Sequence, residues 1–247
     1  MSSRRARRGA AMAALCLGVL PVGGCSALSG QVQRPATAAA KPRPGAPVVM
    51  FLGDSYTVGE RGSLPENTYA AATARLLGWQ VIIGGRGGTG FVATGGRGQP
   101  FPLLFESQLG WRPAPDLLIV SGGHNDWRYP PPQVAAGARE LLERARQRWP
   151  GTRLVLIGPI WGSERPPAPA LANRDALRAV ATELGVPFID PIASRWITGS
   201  RATGTGNATE FIRPDGVHPT VAGHRHLAAR LAGELRGLNL ARPAAKI

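Results

Sequence analysis

The sequence predicts an α/β protein, a three-layer α/β/α sandwich on a five-stranded parallel sheet. From Val48 onward, short apolar runs alternate with stretches of helical periodicity. Most of the runs are nearly continuous in apolar residues, as strands buried on both faces must be. Right-handed crossovers through the helical stretches place helices on both sides of such a sheet.

The strands are expected at Val48–Leu52, Gln80–Ile83, Leu117–Ser121, Arg153–Ile157 and Pro187–Asp190. Helices at about Thr68–Leu77, Gln133–Trp149 and Ala168–Leu184 lie between them, and one at Thr220–Leu235 follows the fifth strand. The helix over Gln133–Trp149 repeats Val134, Ala138, Leu141, Leu142, Ala145 and Trp149 at helical spacing, and the last repeats Leu227, Ala228, Leu231 and Leu235. Two connections, Gly84–Pro115 and Ile192–Pro214, are long for a compact domain. Both leave from the carboxyl edge of the sheet, where open α/β folds bind ligands. Residues 48–240 thus form one domain of roughly 200 residues, and no internal repeat is visible.

Residues 1–24 read as an export signal. Arg4, Arg5, Arg7 and Arg8 precede an apolar run from Ala10 to Val22 that is too short for a stable membrane span. The run ends in Val22-Gly23-Gly24-Cys25, which resembles the lipobox of bacterial lipoproteins, so Cys25 is the expected lipidation site. An ordinary secretory leader with a chance cysteine is the alternative. Residues 25–47, rich in Ala, Pro, Gly, Gln and Thr, form a tether with almost nothing to bury. The other cysteine, Cys16, lies inside the leader, so the mature domain is expected to have no disulfide and no cysteine for zinc. The expected location is the outer face of the cytoplasmic membrane, or the medium.

The formal net charge is +14, four units of which belong to the leader arginines. The remaining basic residues are scattered rather than interleaved with aromatics, so nucleic acid is not an expected partner. A basic surface on a tethered protein suits anionic lipid headgroups or acidic envelope polymers.

Four blocks carry chemistry. The first strand runs into Gly53-Asp54-Ser55-Tyr56, which places a serine hydroxyl just past a strand end. Taken alone, a Ser-Asp turn is more often a helix cap. Asp215-Gly216-Val217-His218-Pro219 precedes the last helix, and an Asp three residues ahead of a His can turn back onto its ring. One ring nitrogen held by a carboxylate leaves the other to take a serine proton. Arg86-Gly87-Gly88-Thr89-Gly90 follows the second strand and Gly122-Gly123-His124-Asn125-Asp126 the third. A backbone N–H and a side-chain amide are donors suited to an oxyanion.

The order Ser, Gly, Asn, His along the chain resembles the SGNH (GDSL-type) hydrolase family, from Val48 to about Leu238. The resemblance implies a flavodoxin-like sandwich and a serine esterase without a cofactor. It implies Ser55 as nucleophile, His218 as base, Asp215 as its orienter, and Ser55, Gly87 and Asn125 as oxyanion donors. Tyr56 stands where the family has leucine, a change expected to alter only packing or a pocket wall. The glycine-rich second block leaves Gly88 as an alternative donor; Gly87 is favoured because Thr89 then falls where the family often has threonine.

Other assignments fit less well. Gly85 to Gly90 matches a dinucleotide fingerprint, but no helical pattern follows it. Ser55 lacks the glycine two residues on that marks an α/β-hydrolase nucleophile elbow. No metal site is expected, His224 and His226 are expected to face solvent or cap the last helix, and His124 is a candidate substrate contact. Trp111, Trp127 and Trp161 are expected on the active-site edge. A monomer acting on a small-molecule, carbohydrate or lipid ester is the expected form. Acyl transfer on the same residues and a non-catalytic binding protein are the alternatives.

Overall fold

The computed structural model describes residues 45–60, 63–96 and 98–243. The leader, Cys25 and nearly all of the tether therefore lie outside the described residues. Within them the five strands are β1 (Val48–Gly53), β2 (Gln80–Gly85), β3 (Leu117–Ser121), β4 (Arg153–Ile157) and β5 (Phe188–Ile189). Their order is β2-β1-β3-β4-β5 and every pairing is parallel, the α/β sandwich expected.

Alternation along the strands divides the core in two. Val49, Phe51, Leu117, Ile119, Val155 and Ile157 face one side, where they meet α2 (Tyr69–Leu77) and α7 (Val221–Gly237). Met50, Leu52, Leu118, Val120, Leu154 and Leu156 face the other, against α4 (Pro131–Arg148) and α5 (Ala168–Glu183). Successive strand side chains point to opposite faces, so a strand covered on both sides has to be apolar throughout. Leu141 on α4 and Leu231 on α7 are fully buried, and each such leucine contributes about 1.5–3 kcal/mol by leaving water.

The helix ends follow from local chemistry. Thr68 and Thr220 cap α2 and α7 by accepting the N–H groups of Ala71 and Gly223 at 3.3 and 2.9 Å. Proline in the first turn of α4 and α5 removes donors that would have no partner there.

Some boundaries differ from expectation. β2 runs two residues further because Gly84 and Gly85 pair with Leu52 and Gly53. β5 shrinks to two residues: Asp190 turns its carboxylate onto the N–H groups of Ile192 and Ala193, and Pro191 follows. The long connection after β2 contains α3 (Phe101–Leu104) and a wide helical turn over Phe105–Gly110. The one after β5 contains α6 (Ala208–Phe211). No helix among the described residues is long and apolar enough to cross a membrane.

The expectation for the two histidines of α7 is corrected. His224 is buried, and its Nδ1 accepts the N–H of Tyr69 at 3.2 Å, supplying a partner at the start of α2. His226 stacks on Phe211 and its Nε2 lies 2.7 Å from the carbonyl of Trp196. Both tie α7 to neighbouring segments, because α7 lies against α2 and the loop after β5 rather than on an open surface.

Burial, with the Arg213 guanidinium nearby, lowers the pKa of His224 from 6.5 to about 4. Between those values the unfolded chain binds a proton that the folded chain refuses. The stability held at His224 is therefore intact above about pH 6.5 and lost as pH falls toward 4. Asp54, raised to about 7, acts with the opposite sign, so comparison with a variant isolates the histidine. Relative to His224→Gln, the wild type is expected to lose up to about 3 kcal/mol between pH 7 and pH 4. Urea denaturation at the two pH values checks this, and parallel losses in both proteins would contradict it.

Candidate active site

The site begins where β1 ends. A side chain at Gly53 would meet Thr57 Oγ1 at 2.1 Å and the Ser121 carbonyl at 2.8 Å. Asp54 follows and caps the short helix α1 (Ser55–Val58), accepting the Tyr56 N–H at 3.0 Å. Ser55 is thereby the first residue of a helical turn at the carboxyl edge of the sheet.

The segment before α7 brings Asp215 and His218 to the same edge. Asp215 Oδ1 accepts the N–H groups of Val217 and His218, both at 2.9 Å, which leaves Oδ2 aimed at the ring. His218 Nδ1 lies 2.8 Å from that oxygen and Nε2 lies 3.0 Å from Ser55 Oγ. With Nδ1 donating to a carboxylate, Nε2 carries a lone pair and accepts the serine O–H. Burial pushes the Asp215 carboxyl upward, but the Val217 N–H and the contacts to His218 outweigh it and hold the pKa below the usual range. That carboxylate is ionised at neutral pH.

Asn125 joins three blocks. Its Nδ2 donates to the Thr89 carbonyl at 2.9 Å and lies 3.4 Å from Asp54 Oδ2. A Cβ built on Gly87 would lie 3.5 Å from Ser55 Cβ, whereas one on Gly88, which has φ +78°, would meet Gly95. The second block thus reaches the serine through Gly87. Of the residues singled out in the sequence, Ser55, Gly87, Asn125, Asp215 and His218 stand on one edge; Cys25 lies outside the described residues.

Two residues next to the singled-out ones have contacts that sequence reasoning did not foresee. Asp126 is fully buried, and its carboxylate accepts the N–H groups of Phe91, Val92 and Ala93, all at 2.9 Å. It packs so closely that a Cβ at Gly90 would lie 2.2 Å from its Oδ2. Burial raises its pKa against the pull of the three N–H groups. Adjacency to Asn125 was the one signal in the sequence. The second is the hydroxyl of Tyr56, which donates to the Val217 carbonyl at 2.5 Å. Burial first, then Asp54 and Asp215, raises its pKa well above 10, so it stays a phenol donor. The expectation that this tyrosine alters only packing or a pocket wall is therefore corrected: it also pins the histidine segment to the serine segment.

His124 packs at a tilt between Tyr56 and Trp161, with ring centres 5.4 and 4.5 Å away, and its Nδ1 meets the Ile160 carbonyl at 3.0 Å. Burial lowers its pKa, so it is neutral at pH 7. Trp161 lines a cleft of about 340 Å³ with Ile160, Arg165 and Arg195. The cleft wall borders the histidine segment, since a Cβ at Gly162 would lie 2.2 Å from the Gly216 carbonyl. Trp111 does not belong to this edge. It is exposed in the segment leading into β3, beside Arg112, whose carbonyl takes the indole N–H of Trp149 at the end of α4. Among the described residues, Glu60, Asp215 and His218 offer metal-ligand atoms within 4.8 Å of one another. Arg213 pairs with Glu60, so the cluster carries its own cation.

Comparison with known proteins bears on this edge directly. A family model described as GDSL-like lipase/acylhydrolase matches residues 51–226, which span every block named above. The chain belongs to this family. It is accordingly an esterase of the SGNH/GDSL type, a carboxylic ester hydrolase. It is 32% identical over 193 residues to a GDSL lipase of Mycobacterium tuberculosis, covering 74% of this chain and 79% of that one. In fold it resembles a carbohydrate acetylesterase from Sinorhizobium meliloti, with a TM-score of 0.61, 18% identity, and 78% and 99% of the two chains covered. A salicylyl-acyltransferase from a tetracycline biosynthetic pathway aligns with a TM-score of 0.61 at 22% identity, over 81% of this chain and 56% of that one.

In this GDSL-type hydrolase the loop after β2 has its shape because Asp126 gathers three N–H groups. Asp126→Ala leaves them without a partner, and each buried orphan costs about 1–3 kcal/mol. The variant is expected to lose about 3 kcal/mol or more in denaturant unfolding at pH 7. A loss under about 1 kcal/mol would show that water replaces the carboxylate freely.

Proposed function

We propose that the protein is a serine esterase that hydrolyses carbohydrate or lipid esters through an acyl-enzyme on Ser55. The observation that carries the reading is the continuous contact from Asp215 through the His218 ring to Ser55 Oγ. Ser55 Oγ attacks the ester carbonyl while His218 Nε2 takes its proton, and the ring returns that proton to the leaving alcohol. Water, deprotonated by the same nitrogen, then attacks the acyl-serine and frees the acid. Asp215 holds the Nδ1 proton throughout and stabilises the imidazolium.

The N–H groups of Ser55 and Gly87 and the Asn125 amide are the donors for the oxyanion. Asn125 gives one N–H to Thr89, and the other is only loosely engaged at 3.4 Å from Asp54, free to serve the substrate oxygen. Gly87 is preferred to Gly88 because it is the glycine that faces Ser55. Burial, only partly offset by the Tyr56 N–H, raises Asp54 to about 7, so it is substantially protonated at neutral pH and does not compete as a base.

Carbohydrate esters are favoured by the fold shared with a carbohydrate acetylesterase, lipid esters by similarity to a GDSL lipase. Transfer to an acceptor other than water is the second reading, favoured by the fold shared with an acyltransferase.

The first test is hydrolysis of p-nitrophenyl esters from acetate to long acyl chains. Ser55→Ala is expected to lower kcat by about 10⁴-fold or more, and Asn125→Ala by about 10²–10³-fold. Unchanged turnover in Ser55→Ala would sink the mechanism. Turnover that rises only with an added alcohol acceptor would favour transfer.

The reading extends to location: the protein is exported, monomeric and anchored through a lipid on Cys25, as the lipobox-like Val22–Cys25 motif supports. Cys25→Ser is expected to move it from the membrane to the soluble fraction on cell fractionation; retention in the membrane would refute the anchor.

A further inference from the structure

Glu60 lies five residues beyond Ser55, at the end of the segment that follows α1, where Gly59 turns the chain at φ +83°. Its Oε2 is 3.1 Å from His218 Nδ1, while the hydrogen bond of Nδ1 goes to Asp215 Oδ2 at 2.8 Å. Its other oxygen pairs with the guanidinium of Arg213. Arg213 belongs to the histidine segment: its N–H donates to the His218 carbonyl at 2.8 Å, and its carbonyl accepts the Gly216 N–H at 3.0 Å. The hairpin that presents Asp215 and His218 therefore also presents the cation that holds Glu60 against the ring.

The two carboxylates are not equally enclosed. The Asp215 side chain is 43% exposed, those of Glu60 and His218 25% and 26%. Water competes for an exposed carboxylate and weakens its hold on a ring proton. A more enclosed carboxylate, paired with a cation on its far oxygen, holds the same proton with less competition.

We propose that Glu60 is a second, standby carboxylate for His218, poised beside the Nδ1 proton that Asp215 accepts and held in place by Arg213. The inference rests on the serine-esterase reading above and adds a positioning residue to it. Either carboxylate retains the tautomer that leaves Nε2 free for the Ser55 proton. The Nδ1 proton is not transferred, and no bond to either carboxylate forms or breaks. The Glu60–Arg213 pair also joins the serine segment to the histidine segment at a third point, beside the Ser55–His218 and Tyr56–Val217 hydrogen bonds.

The test compares Asp215→Ala, Glu60→Gln and the double variant in the full chain with p-nitrophenyl acetate. Loss of the sole carboxylate of a triad lowers kcat by about 10⁴-fold. With Glu60 as partner, Asp215→Ala is expected to lose only about 10²-fold, Glu60→Gln about 10-fold with KM little changed, and the double variant about 10⁴-fold or more. Glu60→Asp should recover part of the loss. A second readout needs no turnover: the downfield proton resonance of His218 Nδ1–H, followed in the Ser55→Ala background. It is expected to persist in Asp215→Ala and to vanish when Glu60→Gln is added. Loss of the resonance in Asp215→Ala alone, or a Glu60→Gln change without effect in either background, would overturn the proposal. Absence of Ser55-dependent turnover in the wild type would refute the esterase reading instead, and the resonance would then decide the role of Glu60.

Discussion

At the carboxyl end of β1 three strands approach so closely that side chains have no room between them. Gly53 pairs with Gly85 on one side and Ser121 on the other. A Cβ on Gly85, whose φ is +124°, would sit 1.8 Å from the Gly53 carbonyl, so only glycine accepts both the conformation and the contact. This crowding brings the segments after β1, β2 and β3 together, and with them Ser55, Gly87 and Asn125. Parallel strands that start at one edge must end at the other, so one constraint on the sheet gathers residues more than 30 positions apart.

Carboxylates around the site divide by burial into two kinds. Asp54 and Asp126 are almost without solvent contact, and burial is the largest influence on both, raising each. They act as acceptors for backbone N–H groups, one for the turn carrying Ser55 and the other for the loop carrying Gly87. Asp215 keeps contact with water and with the His218 ring, so its charge persists at neutral pH. Burial raises the pKa of the inner pair, while the Val217 N–H and the contacts to His218 keep the outer one ionised beside the ring. Tyr56 and Glu60 add cross-links between the serine and histidine segments, so the hydrogen bond between Ser55 and His218 does not set their distance alone.

Much of this was legible in the linear chain. The apolar runs marked all five strands because burial on both faces leaves no polar alternation to confuse them. Helical spacing located α2, α4, α5 and α7 to within two residues at either end. Short elements were not legible: α3 and α6 span four residues each, about one turn, too few to establish a period. Tyr56 and Asp126 stood beside residues that had been singled out, yet adjacency says nothing of where a hydroxyl or a carboxylate points.

The sequence by itself determined the sheet, its helices and the four blocks that carry the chemistry, since each depends on local patterning or on residue types a few positions apart. Only the tertiary structure decided which glycine faces Ser55, which histidine is buried as a neutral acceptor, and that Glu60 and Arg213 meet at the His218 ring. Those outcomes depend on distances between segments as much as 158 residues apart, such as Glu60 and His218. Packing sets such distances through the summed contacts of the whole core, and no local pattern in the chain encodes them.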